Sequence, residues 1–399
     1  MTQRWPIRRL ALGVLLSGVG SWAAGISVSY YVFRETGSAV WVAGTLFFTF
    51  GVAGFFSPLA GKIADRYDRR LVMIVADLCS AACWFVLIWV RDPAQVIAIA
   101  FVGSVVGLPY HFAATAAIPN LAGEEDLGWA NGLLSASSSV SRLIGPALGG
   151  AVFAFAGIGV AFAVNAASFV VSAALSASIR HVRFSDETPA EGSPSAWEGF
   201  RAVFRDDVRK RLLFAWAISY LAMDIAFVAD PPLAAVFGVG AFGYGLMDAV
   251  FGGGAAIGGL YARRVKEDAE RRWIILGLLG VAAGWAMIAG APLFVLVLIP
   301  SAIAAAMDTI GTVAGYNLIQ RRTPDELRGR VFAAYSMTGM FANMIGFILV
   351  GPFVQAFGPR AVYAAGGVLS LLAAGVFAYG RSSVPVAAEE SGSPPKAPA

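Results

Sequence analysis

The chain has 399 residues, 58% of them hydrophobic and 14% charged, with a formal net charge of +4. A soluble domain carries about 25% charged residues, so a water-soluble enzyme or binding module is excluded and lipid is the expected solvent. Two histidines and two cysteines leave little material for a metal centre. Cys79 and Cys83, four apart in an apolar run, read as packing residues rather than a redox pair.

The N-terminus opens with MTQRWPIRR and imitates a secretory signal. The apolar stretch from Leu10 to Phe33 is too long for an h-region of about 7–15 residues, which makes it a retained first span. A membrane helix needs about 20 apolar residues. The chain offers such stretches at 9–33, 40–60, 71–90, 94–118, 129–156, 159–180, 211–237, 241–262, 273–290, 293–320, 331–357 and 360–380. The expectation is an all-α membrane protein of twelve transmembrane helices. Tight breaks fall at Gly157, Ala291-Pro292 and Gly358-Pro359.

Lysine and arginine set the orientation. With both termini cytoplasmic, the inside holds Arg4, Arg8, Arg9, Lys62, Arg66, Arg69 and Arg70, and the basic stretches after 180, 262 and 320. The outside holds Arg34, Arg91 and Arg360. This asymmetry predicts cytoplasmic termini on a multi-pass plasma-membrane protein of the bacterial inner-membrane type. The polar stretch 181–210 is a cytoplasmic linker. Its first part, FSDETPAEGSPS, reads as disordered. Its second carries Trp197, Phe200, Val203 and Phe204 on one face of a surface helix. The tail 382–399 reads as unstructured.

The halves repeat weakly. Gly145, Gly150 and Gly157 match Gly346, Gly351 and Gly358 at one offset, and GKIADR (61–66) aligns with GLYARR (259–264) at nearly the same one. Bundles at 1–180 and 211–381, related by an axis along the membrane normal, place a substrate site between them.

Charges inside the spans cost about 2.5–3.5 kcal/mol each at the bilayer centre, so each is a functional candidate. They are Asp77, Arg142, Asp224, Asp230, Asp248 and Asp308. At 1.5 Å per residue, Asp224 and Asp308 lie roughly 20 Å deep and are the first candidates for proton or cation binding. Asp230, before Pro231-Pro232, belongs nearer the outer end, and Asp248 is shallow. Arg142 can hold an anion or close the cavity against a carboxylate. His111 can shuttle protons, and packing explains it equally well. Asn165, Tyr220, Asn317 and Asn343 are candidate cavity liners.

GKIADRYDRR (61–70) resembles the signature loop of the major facilitator superfamily, Gly-x-x-x-Asp-Arg-x-Gly-Arg-Arg/Lys. Gly61, Asp65, Arg66, Arg69 and Arg70 match, and Asp68 replaces the usual glycine. The resemblance implies two pseudo-symmetric six-helix bundles rocking about a central site. It also implies a conformational latch formed by these residues, to which Asp77 is assigned. SRLIGPALGG (141–150) resembles the helix-5 motif of the family's exporters through Gly145, Pro146, Gly149 and Gly150, with Ser141 in place of the first glycine. ANGLL (130–134), NAASF (165–169) and LRGRV (327–331) extend the likeness to the macrolide-efflux and enterobactin-exporter branch. The arginine that many proton-coupled exporters carry in their fourth helix is missing, and His111 stands in that helix.

No phosphate-binding GxxxxGK[ST] loop, H-E-x-x-H or cysteine/histidine metal spacing occurs, which argues against an ATP-driven pump or a metalloenzyme. The expectation is a secondary transporter with no enzyme activity and no cofactor. It exports a small amphipathic compound, drug-like or siderophore-like, in exchange for protons or another cation, and its partners are that compound and the lipid bilayer, not nucleic acid. An importer of the same fold is the first rival, and a non-transporting receptor or scaffold the second.

Overall fold

The computed structural model describes residues 4–179 and 196–379. The expected disorder at FSDETPAEGSPS (184–195) and in the tail 382–399 lies outside the described residues. Among the described residues the chain is helical and has no strand. In order the helices are α1 (Trp5–Thr36), α2 (Ala39–Leu46), α3 (Ser57–Arg66), α4 (Arg69–Leu87), α5 (Pro93–Ala122), α6 (Leu127–Ala156), α7 (Ile158–Ala177), α8 (Ala196–Phe204), α9 (Asp207–Val236), α10 (Gly240–Ala262), α11 (Glu270–Gly290), α12 (Val295–Arg321) and α13 (Asp325–Ala378).

Nine of these are long and apolar enough to cross a membrane. The bent pair Ala39–Val52 and Ser57–Arg66, which meet at 41°, has the length and composition for a tenth. Large apolar side chains stand exposed around the helices, Phe155, Ile257 and Ile299 among them, as a lipid-facing surface requires. The apolar stretch at 40–60 is not one continuous helix. After α2 the backbone widens into a π-helical turn at Phe47–Val52 and then breaks before α3. Pro58, in the first turn of α3, has no N–H to continue the preceding ladder. The break expected at Gly358-Pro359 is present inside α13, where Gly358 takes φ 78°, a conformation that glycine adopts without strain.

Connections alternate between two ends of the molecule. The near end carries Arg4, α8 and the junctions at 67–68, 123–126, 263–269 and 322–324. The far end carries those at 37–38, 88–92, 157, 237–239 and 291–294. In the first half of the chain α1 packs on α6 and α7, and α4 on α5 and α7. In the second half α9 packs on α13, α10 on α12, and α11 on α12 and α13. The halves meet where α6 lies on α10 and α2 lies on α13.

Near-end ion pairs tie each half to itself. Arg4 pairs with Asp126 at 2.9 Å, Arg321 with Glu270 at 2.9 Å and Arg330 of α13 with Glu198 of α8 at 2.6 Å. Asp206 caps α9 by accepting the Arg209 N–H at 2.8 Å, and it accepts from Arg322 at 2.9 Å. Burial alone would raise its pKa, but these donors and the two guanidinium groups outweigh that and hold it below the ordinary carboxylate value.

Candidate functional site

Three mid-helix charges approach one another between the halves. Arg142 stands exposed in the middle of α6, its guanidinium 5.1 Å from the Trp22 ring of α1. Asp248 of α10 and Asp308 of α12 are both part-exposed, and Arg142 is the positive charge that acts on each. Among the described residues no contact ion pair joins them. They form a loose charge group, one guanidinium acting on two carboxylates from a neighbouring half of the chain. Tyr220 of α9 lies in the field of Asp308 and of Tyr316. Helical rise puts Asp248 only about 12 Å from the far end, and depth alone ranked it below Asp224. The packing of α10 on both α6 and α12 is what carries Asp248 to Arg142.

Tyr220 also belongs to a second feature. A cleft of about 270 Å³ is lined by Phe50 and Gly51 of the π-helical turn, by Tyr220, and by Ser336, Gly339, Met340, Asn343 and Phe347 of α13. Tyr220 rests on Gly339, where an added Cβ would come within 2.8 Å of the ring. Tyr220 and Asn343, expected as cavity liners, therefore both line it. π-Turns inside helices recur at functional positions, and nothing in the apolar run 40–60 signals this one.

A polar stripe leads from the near end to Arg142. Asn131, Ser135, Ser138, Ser139 and Arg142 recur at helical spacing on one side of α6, and all are exposed. At the far end the same helix is closed. Gly145 sits on α1, where a Cβ would meet the Val19 carbonyl at 2.9 Å, and Gly149 packs against Ala23. Gly150 faces α10, where a Cβ would lie 3.1 Å from Gly245 Cα, and Gly245 packs in turn on the Pro146 carbonyl. Ser141, the departure from the exporter pattern, donates to the Leu15 carbonyl at 2.9 Å and fits against Gly18 of α1. On the opposite flank the Ala39 N–H donates to Gln355 at 3.0 Å, and Gly351 packs on Val40 and Ala43. Small residues thus let the halves touch backbone to backbone toward the far end, and Gly252 of α10 continues the contact to the Arg142 carbonyl.

The other expected residues lie elsewhere. Asp224 is buried between α9 and α13 with Oδ2 unpartnered, against Gly346. Asp230 accepts a hydrogen bond from the Tyr363 hydroxyl, near Tyr244 and Asp248. His111 is exposed on α5. Asn165 is fully buried between α1 and α7, beside Gly20 and Ser168. Asn317 is part-exposed near the end of α12. A larger depression of about 580 Å³ lies at the far end against Arg34 and Arg91. Both guanidinium groups are engaged there, with Glu35 and with the Ile88 and Val90 carbonyls.

The signature residues are placed on helices rather than in a loop, which corrects the sequence reading. Gly61, Asp65 and Arg66 belong to α3, and the connection shrinks to Tyr67-Asp68. Asp68 caps α4 by accepting the Leu71 N–H at 2.9 Å, a physical reason for an aspartate where the pattern has glycine. Arg69 reaches the Asn120 side chain of α5 at 2.8 Å, and Arg70 the Ala177 carbonyl of α7. Asp65 and Arg66 are exposed, and Asp65 makes no ion pair among the described residues.

Long apolar helices that carry charges within them define a multi-pass membrane protein. The sequence profile of the Major Facilitator Superfamily matches residues 10–265 and 212–398, and the chain belongs to that family. It is 24% identical over 378 residues to the enterobactin exporter EntS of Shigella boydii serotype 18 (strain CDC 3083-94 / BS512), covering 92% of this chain and 90% of that one. It is 21% identical over 315 residues to the putative bacilysin exporter BacE of Bacillus amyloliquefaciens, covering 78% and 79%. Its fold matches that of a mutant form of the nucleoside transporter NupG with a TM-score of 0.78 at 14% identity, over 94% of this chain and 99% of that one.

Proposed function

We propose that the chain exports a small amphipathic compound in exchange for protons, by alternating access between two six-helix bundles. The bent pair α2–α3 makes one crossing, the glycine-rich α10 another, and the two arms of α13 two, for twelve in all. Both termini, and with them the near end, are cytoplasmic, as the lysine and arginine distribution favours. The present geometry is then open to the cytoplasm and closed to the outside.

The observation that carries the proposal is the mid-depth cluster of Arg142, Asp248 and Asp308. It joins the two halves, and the polar stripe of α6 connects it to the open end. A compound entering there meets a guanidinium, two carboxylates and the aromatic walls of the Phe50–Tyr220 cleft, which suits an amphipathic molecule with a polar head. Protonation of Asp248 and Asp308 removes the negative charges that hold such a head, so proton and compound compete for the same groups. That competition is what exchange requires. The exporters among the relatives and the Gly145–Gly150 motif support the outward direction.

The test uses purified protein in lightly buffered detergent with a pH-sensitive dye, screened against antibiotics, siderophores and metabolites. A transported compound should release protons on binding to the wild type, and Asp248→Asn/Asp308→Asn should release none. In proteoliposomes with an imposed pH gradient, the same compound should move against the proton flow. Movement with the protons would select an importer, and release undiminished in the double variant would overturn the assignment.

A further inference from the structure

A second polar group lies inside the first half, away from the central cluster and on different helices. Asp77 and Ser80 of α4, Tyr110 of α5, and Ser172 and Ser176 of α7 converge there. Asp77, Ser80, Ser172 and Ser176 are each no more than 1% exposed. Ser172 donates to the Tyr110 hydroxyl at 3.3 Å and lies within hydrogen-bond reach of the Asp77 carboxyl, and Ser176 is within reach of the same Tyr110. Two glycines hold the helices close around these oxygens. A Cβ at Gly13 of α1 would stand 3.2 Å from Ser172 Oγ and 3.3 Å from Tyr110 Oη, and one at Gly107 would stand 3.1 Å from Ser80 Oγ.

Two members have bonding capacity to spare. Asp77 Oδ2 and Ser80 Oγ are buried with no hydrogen-bond partner among the described residues. Among the described residues Ser172 is the hydrogen-bonding group within reach of the Asp77 carboxyl, and no basic side chain acts on it. A buried carboxyl is paired with a positive charge, binds a cation or takes up a proton. The surrounding groups are all hydroxyls, which are oxygen ligands of the kind hard cations take. One carboxylate supplies a single negative charge, too little for the divalent ions that several carboxylates usually hold. Hydroxyl oxygens with that one charge suit a small monovalent cation. The rival state is the neutral acid, which donates one hydrogen bond and holds no cation.

We propose that Asp77, Ser80, Tyr110, Ser172 and Ser176 form a sodium site within the first bundle, separate from the Arg142 cluster. Tyr110 is the part-exposed member and guards the entry. The site lies about 12 Å from the start of α4, so bound sodium ties α4, α5 and α7 together. Asp77, whose place near the cytoplasmic end of its helix assigned it to the latch, is turned inward to this group. The proposal does not depend on the direction of transport or on the central carboxylates.

The test is the melting temperature of purified protein at pH 8 in sodium, potassium or choline chloride at equal ionic strength. Sodium should raise the wild-type value by a few degrees in a saturable way, and potassium and choline should not. Asp77→Asn should abolish the response, and Ser80→Ala or Ser172→Ala should raise the half-saturating concentration several-fold. Asp248→Asn should leave it unchanged. Equal melting in the three salts, a response to pH with none to sodium, or an unmoved half-saturation in the serine variants would overturn the site. The serine variants carry the test if Asp77→Asn does not fold.

Discussion

Asp206 is charged in the folded state because that state supplies its partners, the Arg209 N–H and the Arg322 guanidinium. Its pKa is lower folded than unfolded, so its contribution is present above the unfolded value of about 3.9 and is lost as pH falls through the folded value. Asn caps a helix as well as Asp does, so Asp206→Asn should lose only the charge term with Arg322, at most about 1 kcal/mol at pH 7, and the gap in melting temperature should close below about pH 4. A gap that persists undiminished to pH 3 would contradict this. The residue types of the central site were readable from the sequence, because a charge in a twenty-residue apolar run stands out. Their grouping was not. Depth along a helix put Asp224 beside Asp308, whereas tertiary packing puts Asp248 with Arg142 and turns Asp224 toward Gly346. Asn165 shows the same limit, since periodicity gave its helix but not the face that meets α1.

At the scale of single elements, α8 shows how a surface helix is held. Val203 and Ala202 are buried against the second half, while Trp197 and Phe204 stay exposed, and Gly199 lies against the Arg330 backbone. The sequence grouped Trp197, Phe200, Val203 and Phe204 on one face, but the contact divides them between protein and surface. The exposed Glu198–Arg330 pair is worth at most about 1 kcal/mol, whereas a side chain at Gly199 would collide with backbone. Gly199→Leu should therefore free α8 and speed tryptic cleavage at Arg201 and Arg205 several-fold, and Glu198→Ala should change the rate little. Equal cleavage in the two variants would show that the glycine contact does not hold the helix. Helix positions along the chain were legible, because apolar length and glycine-proline breaks are local signals. The π-helical turn at Phe47–Val52 was not, since a widened turn has no composition of its own.

Over the whole molecule, the halves meet through Gly150, Gly245, Gly351 and Ala39–Gln355 at the far end, while Asn131 to Arg142 lies open toward the near end. Rocking about the Arg142 cluster should exchange these states, and a bulky side chain in the glycine seam should force the exchange without any ligand. The measurement is a pair of spin-label distances in a background carrying Cys79→Ser and Cys83→Ser. One pair is Asn131→Cys with Ile257→Cys at the near end, and the other is Phe155→Cys with Phe242→Cys at the far end. Adding Gly150→Leu should lengthen the far-end distance and shorten the near-end one, while distances within each half stay fixed. Two distances that do not move, or that move in the same direction, would contradict alternating access in this chain.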